Sequence, residues 1–252
     1  MSGDVAIRVR GLTTRFGDQL VHDRIDFDVR RGEILGLVGP SGAGKSVMLR
    51  EIIGLDPPTA GTVEFVPIDG RTPRMGVMFQ DGALFSNLTL MENVEVPMKE
   101  HTTLHDALRA EIAGVKLVMA GLHPESHHKQ PANISGGMRK RAAVARALAL
   151  DPELLFLDEP TAGLDPISAE NFDRLIKELA GALGLTVLIV THDLDTLSAI
   201  CDRVAVLYDA KLAAIGPMDE VVANATGWVK EYFSGPRGRA ARPQSGARAS
   251  GS

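Results

Sequence analysis

Ile34-Leu35-Gly36-Leu37-Val38-Gly39-Pro40-Ser41-Gly42-Ala43-Gly44-Lys45-Ser46 decides the fold of this 252-residue chain. The first five carry no polar side chain, which reads as a strand covered on both faces, as strands of a parallel sheet are. The next eight fit G-x-x-x-x-G-K-[ST], and a helical pattern begins near Lys45, so strand, loop and helix follow in the order a phosphate loop requires. Glycines let the backbone fold tightly enough for successive N–H groups to face a phosphate, and a helix N-terminus adds its positive dipole end. Gly39, Ser41, Gly42, Ala43, Gly44, Lys45, Ser46 and Val47 are therefore expected to hold a nucleotide. Lys45 would reach its β- and γ-phosphates, and Ser46 would ligate Mg²⁺.

Outward from that stretch, Leu154 to Leu157 and Val187 to Val190 are equally solid apolar runs, each followed by a turn and a helical pattern. The core is therefore expected to be α/β with a mostly parallel sheet. Alternating residues in Val5 to Val9 and Ile25 to Val29 instead predict half-exposed antiparallel strands opening the chain. A strand-poor segment, roughly 85 to 135, with helical patterns such as Leu104 to Leu122, predicts an inserted helical subdomain. With the helix after it, that subdomain runs to about residue 150. The main domain is expected over 1–233. Residues 234–252, SGPRGRAARPQSGARASGS, have no large aliphatic side chain and are expected to stay disordered.

Bulk composition sets limits. At 44% hydrophobic the chain can bury a core, and its formal charge is −5. The final nineteen residues hold four arginines and no acid, so the rest is more acidic still, which argues against nucleic acid as a partner. Cys201, the one cysteine, lies among Leu194, Leu197 and Ile200 and reads as a buried reduced thiol. No apolar run approaches the ~18 residues of a membrane span, and MSGDVAIRVR lacks a signal-peptide core. A membrane link is expected to run through a partner.

Leu154-Leu155-Phe156-Leu157-Asp158-Glu159 ends an apolar run in two carboxylates. Side chains alternate across a strand, so Asp158 and Glu159 face different ways and should do different work. Asp158 is expected to hold Mg²⁺ through the second shell, and Glu159 to polarise an attacking water. Gln80, after Gly76 to Phe79, is either a strand-end polar residue or a contact to the γ-phosphate. His192, after Thr186 to Thr191, is either a cap or a contact to phosphate and water. Phe16 fits core packing or stacking on a nucleobase. His127 and His128 have no ligand partners at metal spacing and read as a surface loop. Ser135-Gly136-Gly137 opens the helical pattern of Met138 to Leu150, a free helix N-terminus suited to an anion. Arg139 to Arg141 and Arg146 read as first turns of that helix or as a solvated face.

GPSGAGKS, Phe79-Gln80, SGG, LLFLDEP, Ala162-Gly163-Leu164-Asp165 and Thr191-His192-Asp193 occur in the order seen in the nucleotide-binding subunits of ABC transporters. The resemblance covers about residues 5 to 230. It implies a P-loop NTPase of the ABC type, with a RecA-like core, an N-terminal antiparallel β-subdomain and an inserted helical subdomain. It also implies an ATPase working with ATP and Mg²⁺ as a head-to-tail homodimer, each ATP shared between one chain's phosphate loop and the other's Ser135, Gly136 and Gly137. By the same likeness Phe16 stacks on adenine, Gln80 reaches Mg²⁺ and the transport partner, Asp165 lies across the dimer seam, and His192 orients water and the γ-phosphate. Lys45, Gln80, Glu159 and His192 are the implied catalytic set; Ser46, Gln80 and Asp158 are the implied metal set. Met138 departs from the glutamine usual in the wider family.

Phe79 to Thr89, Asn93-Val94, Glu100-His101-Thr102 and SGGMRKRAAVARALALDPE narrow the resemblance to the ATPases of MCE-linked phospholipid transport, the Mla or toluene-tolerance type, where Met138 is at home. That likeness implies a peripheral subunit on the cytoplasmic face of the bacterial inner membrane. It would be paired with an integral permease dimer (MlaE-like) and, indirectly, with a periplasmic MCE-domain protein. Residues 81 to 101 would receive a permease helix through Leu84, Phe85 and Leu88, or else pack as subdomain core. Another ABC importer, for a small polar solute, is the alternative. A soluble ABC ATPase acting on nucleic acid fits less well, because only 54 residues separate Gln80 from Ser135.

Overall fold

The computed structural model describes residues 4–234. Two long strands open it, β1 (Val5–Phe16) and β2 (Gln19–Arg30). They form an antiparallel three-stranded sheet with β4 (Ala60–Phe65), ordered β2-β1-β4. Its buried side carries Val9, Leu12, Ile25, Phe27 and Val29. Between β2 and β4 the chain forms β3 (Ile34–Val38) and α1 (Lys45–Ile52).

β3 sits inside a second sheet with β5 (Met75–Met78), β6 (Leu154–Asp158), β7 (Thr186–Val190), β8 (Arg203–Tyr208) and β9 (Lys211–Gly216). The order is β5-β6-β7-β3-β8-β9, parallel except for the final β8–β9 pair. Every residue of β3, β6 and β7 is buried. Their unbroken apolar character follows from what covers each face. Phe156, Leu188 and Val190 pack with Met48, Leu49 and Ile52 of α1 and the antiparallel sheet. The alternate residues Leu155, Leu157, Val187 and Ile189 pack on the other side. Their partners there are Phe172, Leu175, Ile176 and Leu179 of α5 (Pro166–Leu183). The mixed sheet and the separate antiparallel sheet are the architecture expected from the sequence.

Between β5 and β6 stand α2 (Leu90–His101), α3 (Asp106–Met119) and α4 (Gly136–Ala147), which share a core of Leu90, Val94, Met98, Ala113, Leu117, Ala142 and Ala145. α2 begins on a capping box between Thr89 and Glu92. After β7 come α6 (Leu194–Ile200), then α7 (Met218–Ala223) and α8 (Gly227–Ser234). Trp228 of α8 stacks on Tyr208 at 4.7 Å. Ser234 closes α8, and residues 235–252 of the low-complexity stretch lie outside the described residues. No helix among the described residues is long and apolar enough to cross a membrane.

Two surface expectations are corrected. The basic run of α4 is solvated only at Arg139: Lys140 is buried and donates to the Gln80 carbonyl. Arg141 donates to Ala120 O at 3.0 Å, and Arg146 to Gly82 O and Ala83 O, both at 2.7 Å. Long cationic side chains lay apolar stems over the helix and satisfy carbonyls of irregular neighbouring segments. His127 is also buried, its Nε2 3.1 Å from Leu122 O, whereas His128 is exposed. Leu84 packs into the core between α4 and α2, and Phe85 remains exposed.

Candidate active site

The parallel order puts the C-terminal ends of β3, β7 and β6 side by side, where α/β sheets gather ligands. After β3 the loop turns on Gly42 (φ +81°) and Gly44 (φ +87°), a left-handed backbone that only glycine adopts without strain. α1 then starts at Lys45 with Gly44 as its N-cap. Gly39 is needed for a different reason: a Cβ there would stand 2.3 Å from Leu207 O.

Lys45 is buried, and its Nζ donates to Gly39 O at 2.9 Å and Pro40 O at 3.1 Å. An ammonium has three donors, so one is left for an acceptor in the cleft. Burial lowers the Lys45 pKa, against the nearby carboxylates of Glu159 and Asp158, which raise it. Ser46 Oγ donates to Asp158 Oδ1 at 3.0 Å. Burial also pushes the Asp158 carboxyl up, and the Ser46 hydrogen bond opposes that.

Glu159 stands just past the end of β6, and its Oε2 lies 2.8 Å from His192 Nδ1. Its φ of +46° is uncommon for a residue with a side chain. Its N–H is held by Val190 O at 2.8 Å, which anchors the turn to the sheet. His192 is fixed from behind: the Tyr232 hydroxyl of α8 donates to its carbonyl at 3.3 Å. Burial raises the Tyr232 phenol to about 12, so it stays a donor.

These groups surround an open cleft of about 520 Å³, lined by Ser41, Gly42, Gly44, Lys45, Ser46 and Val47 on the loop side. Gln80, Glu159 and His192 close the opposite rim, and Phe16 stands at the mouth. At 59% exposure Phe16 is not a core residue. Gln19 and Val21 line the cleft as well and were not singled out from the sequence; the β1–β2 turn brings them there. Ala43 lines a smaller neighbouring pocket with Ser41 and Gly42.

Ser135, Gly136, Gly137 and Asp165 are not among the cleft residues. Ser135 caps α4, accepting from Met138 N at 3.2 Å, and Asp165 caps α5, accepting from Ser168 N at 3.0 Å. Lys140 is the functional candidate that sequence reasoning missed. It reaches Gln80 O and lies 3.5 Å from Glu159 O, joining the helix after Ser135 to both rim residues.

The donor set suits a nucleotide with its metal: glycine-turned amides and a cation for phosphate, and a hydroxyl, a carboxylate and an amide oxygen for a hard divalent ion. Residues 22–162 match the family described as ABC transporter. The chain belongs to that family. As an ABC ATPase it works with ATP and Mg²⁺. It is 38% identical over 92% of its length to a protein of Mycobacterium leprae named a probable ribonucleotide transport ATP-binding protein, of which it covers 70%. It is 37% identical over 91% of its length to the intermembrane phospholipid transport system ATP-binding protein MlaF of Haemophilus influenzae, of which it covers 90%. Among solved structures it resembles the dimeric ATP-binding cassette MJ0796 in a post-hydrolysis state with ADP and Pi. The TM-score is 0.75 and the identity 31%, covering 84% of this chain and 98% of that one.

Proposed function

We propose that this ABC ATPase powers a membrane permease that moves phospholipid between the inner and outer membranes in an MCE-type system. The observation that carries the cargo is end-to-end correspondence. The chain spans 90% of the phospholipid-transport relative but 70% of the ribonucleotide-transport one. In this reading the chain is a peripheral subunit at the cytoplasmic face of the inner membrane, held by an MlaE-like permease dimer.

In this reading the loop amides from Gly42 to Ser46 and the Lys45 ammonium bind the β- and γ-phosphates. Phe16 stacks on the base. Ser46 and Gln80 offer oxygens to Mg²⁺, and Asp158 orients Ser46 through their hydrogen bond. Mg²⁺, when bound, neutralises charge developing on the phosphates. Glu159 takes the proton of the water whose oxygen bonds to the γ-phosphorus as the β–γ bridge breaks, and His192 holds Glu159 in place. Ser135 to Gly137 and Asp165, outside the cleft of their own chain, serve the ATP of a second copy in a head-to-tail homodimer.

Tagged chain purified from its own membranes should bring down an integral permease and an MCE-domain protein. Once reconstituted, that assembly should pass labelled phospholipid between vesicles in an ATP-dependent manner, and Lys45→Ala should stop it. Recovery of a permease with a soluble solute-binding protein, or ribonucleotide uptake in place of lipid exchange, would overturn the cargo assignment.

A further inference from the structure

Beneath the phosphate loop lies a buried polar cluster that the site above does not use. His22 of β2 is fully buried, with Thr14 of β1 and Glu51 of α1 beside it, both nearly so. Its Nε2 is 3.2 Å from Gly44 O, and its Nδ1 is 2.8 Å from Thr14 Oγ1. Thr14 Oγ1 in turn lies 2.7 Å from Glu51 Oε1. The Gly44 carbonyl also accepts the Met48 amide at 2.8 Å, the first hydrogen bond within α1. The cluster therefore grips α1 at both ends, through Gly44 before its first residue and through Glu51 in its last turn. Both contacts tie the helix to the antiparallel sheet. Contact at Gly44 is close: a Cβ there would stand 2.6 Å from His22 Nε2.

We propose that His22 is a positioning residue for the phosphate loop, its Nε2–H fixing the Gly44 carbonyl from which the helix bearing Lys45 and Ser46 starts. The cluster selects that tautomer. Gly44 O can only accept, so Nε2 must carry hydrogen to bond it. An arrangement without charge has Glu51 as an acid, the Thr14 hydroxyl between Glu51 Oε1 and His22 Nδ1, and Nε2–H donating to Gly44 O. Burial favours it from both ends, lowering the His22 pKa and raising that of Glu51. Glu51 Oε2 lies 3.3 Å from His22 Nδ1 and makes no hydrogen bond there; burying it unbonded carries a lighter penalty for a neutral acid than for a carboxylate.

Two polar substitutions in the full chain separate positioning from packing. His22→Gln puts an amide nitrogen near the Nε2 position and keeps the Gly44 bond, whereas His22→Asn reaches only the Nδ1 position. Both leave a small cavity, so their thermal midpoints should fall alike. MgATP affinity should not: Asn should weaken it about tenfold, as loss of one hydrogen bond to a bound geometry does, while Gln stays within about threefold of the parent. Equal affinities for the two variants, or affinity that simply follows the midpoint, would overturn the proposal. Should either variant fail to fold, side-chain ¹⁵N spectra of the unaltered chain decide it. A proton on His22 Nε2 is expected, and a bare Nε2 would refute it.

Discussion

Asp158 and Glu159 are neighbours in sequence and point to opposite partners, Ser46 and His192. Alternation in a strand led to that division, although Glu159 lies past the end of β6 in a turn of positive φ; the phosphate loop was legible because its glycines and lysine are needed at fixed spacing. Glu159→Gln keeps the shape of the side chain and removes its basicity. It should retain MgATP binding while turnover falls by about 10²–10⁴. Phosphate release measured under single-turnover conditions tests this, and an unchanged rate would take Glu159 out of its role. His22 was not legible. Its meaning comes from three residues, Thr14, Gly44 and Glu51, on three different elements, and a lone histidine in an alternating strand carries no sign of them.

Among the elements, β3, β6 and β7 could be read from sequence because helices and the second sheet cover both their faces, leaving unbroken apolar runs. β4 and β9 could not: both are short edge strands whose residues are largely exposed or half-buried. The basic run does form the turns of α4 and Arg139 is exposed, but charge alone gave no sign that Arg141 and Arg146 satisfy carbonyls on segments far away in sequence. One link between elements titrates. Asp173 of α5 is buried, and the Thr196 hydroxyl of α6 donates to its Oδ2 at 2.7 Å, while Oδ1 has no partner. Burial, with help from Asp193 and Asp195, raises its pKa to about 7. The unfolded value is about 3.9, so between the two the unfolded chain has released a proton that the native chain keeps. The stability present below about pH 4 is therefore lost as pH rises to about 7. Asp173→Asn does not titrate, so its thermal midpoint should gain on the parent between pH 5 and pH 8. Several degrees are expected, since about 1 kcal/mol moves a domain of this size by about 2–4 °C. A difference independent of pH would show that Asp173 is ionised throughout.

At the scale of the whole molecule, the cleft is assembled by one chain and Ser135 stands exposed outside it. Ser135→Arg should therefore leave MgATP binding to a single chain intact and block ATP-dependent pairing. Light scattering in the Glu159→Gln background measures it; a normal dimer would show that the nucleotide is not shared. No sequence pattern could place Ser135 relative to the cleft, because that distance depends on how the helices between β5 and β6 dock on the sheet. The C-terminal helix adds something practical. Trp228, the sole tryptophan of the chain, stacks on Tyr208 and touches Tyr232 at 4.8 Å, and Tyr232 holds the His192 carbonyl. The molecule thus carries its own optical gauge: indole emission reports, without any added dye, whether the loop bearing His192 shifts during a catalytic cycle.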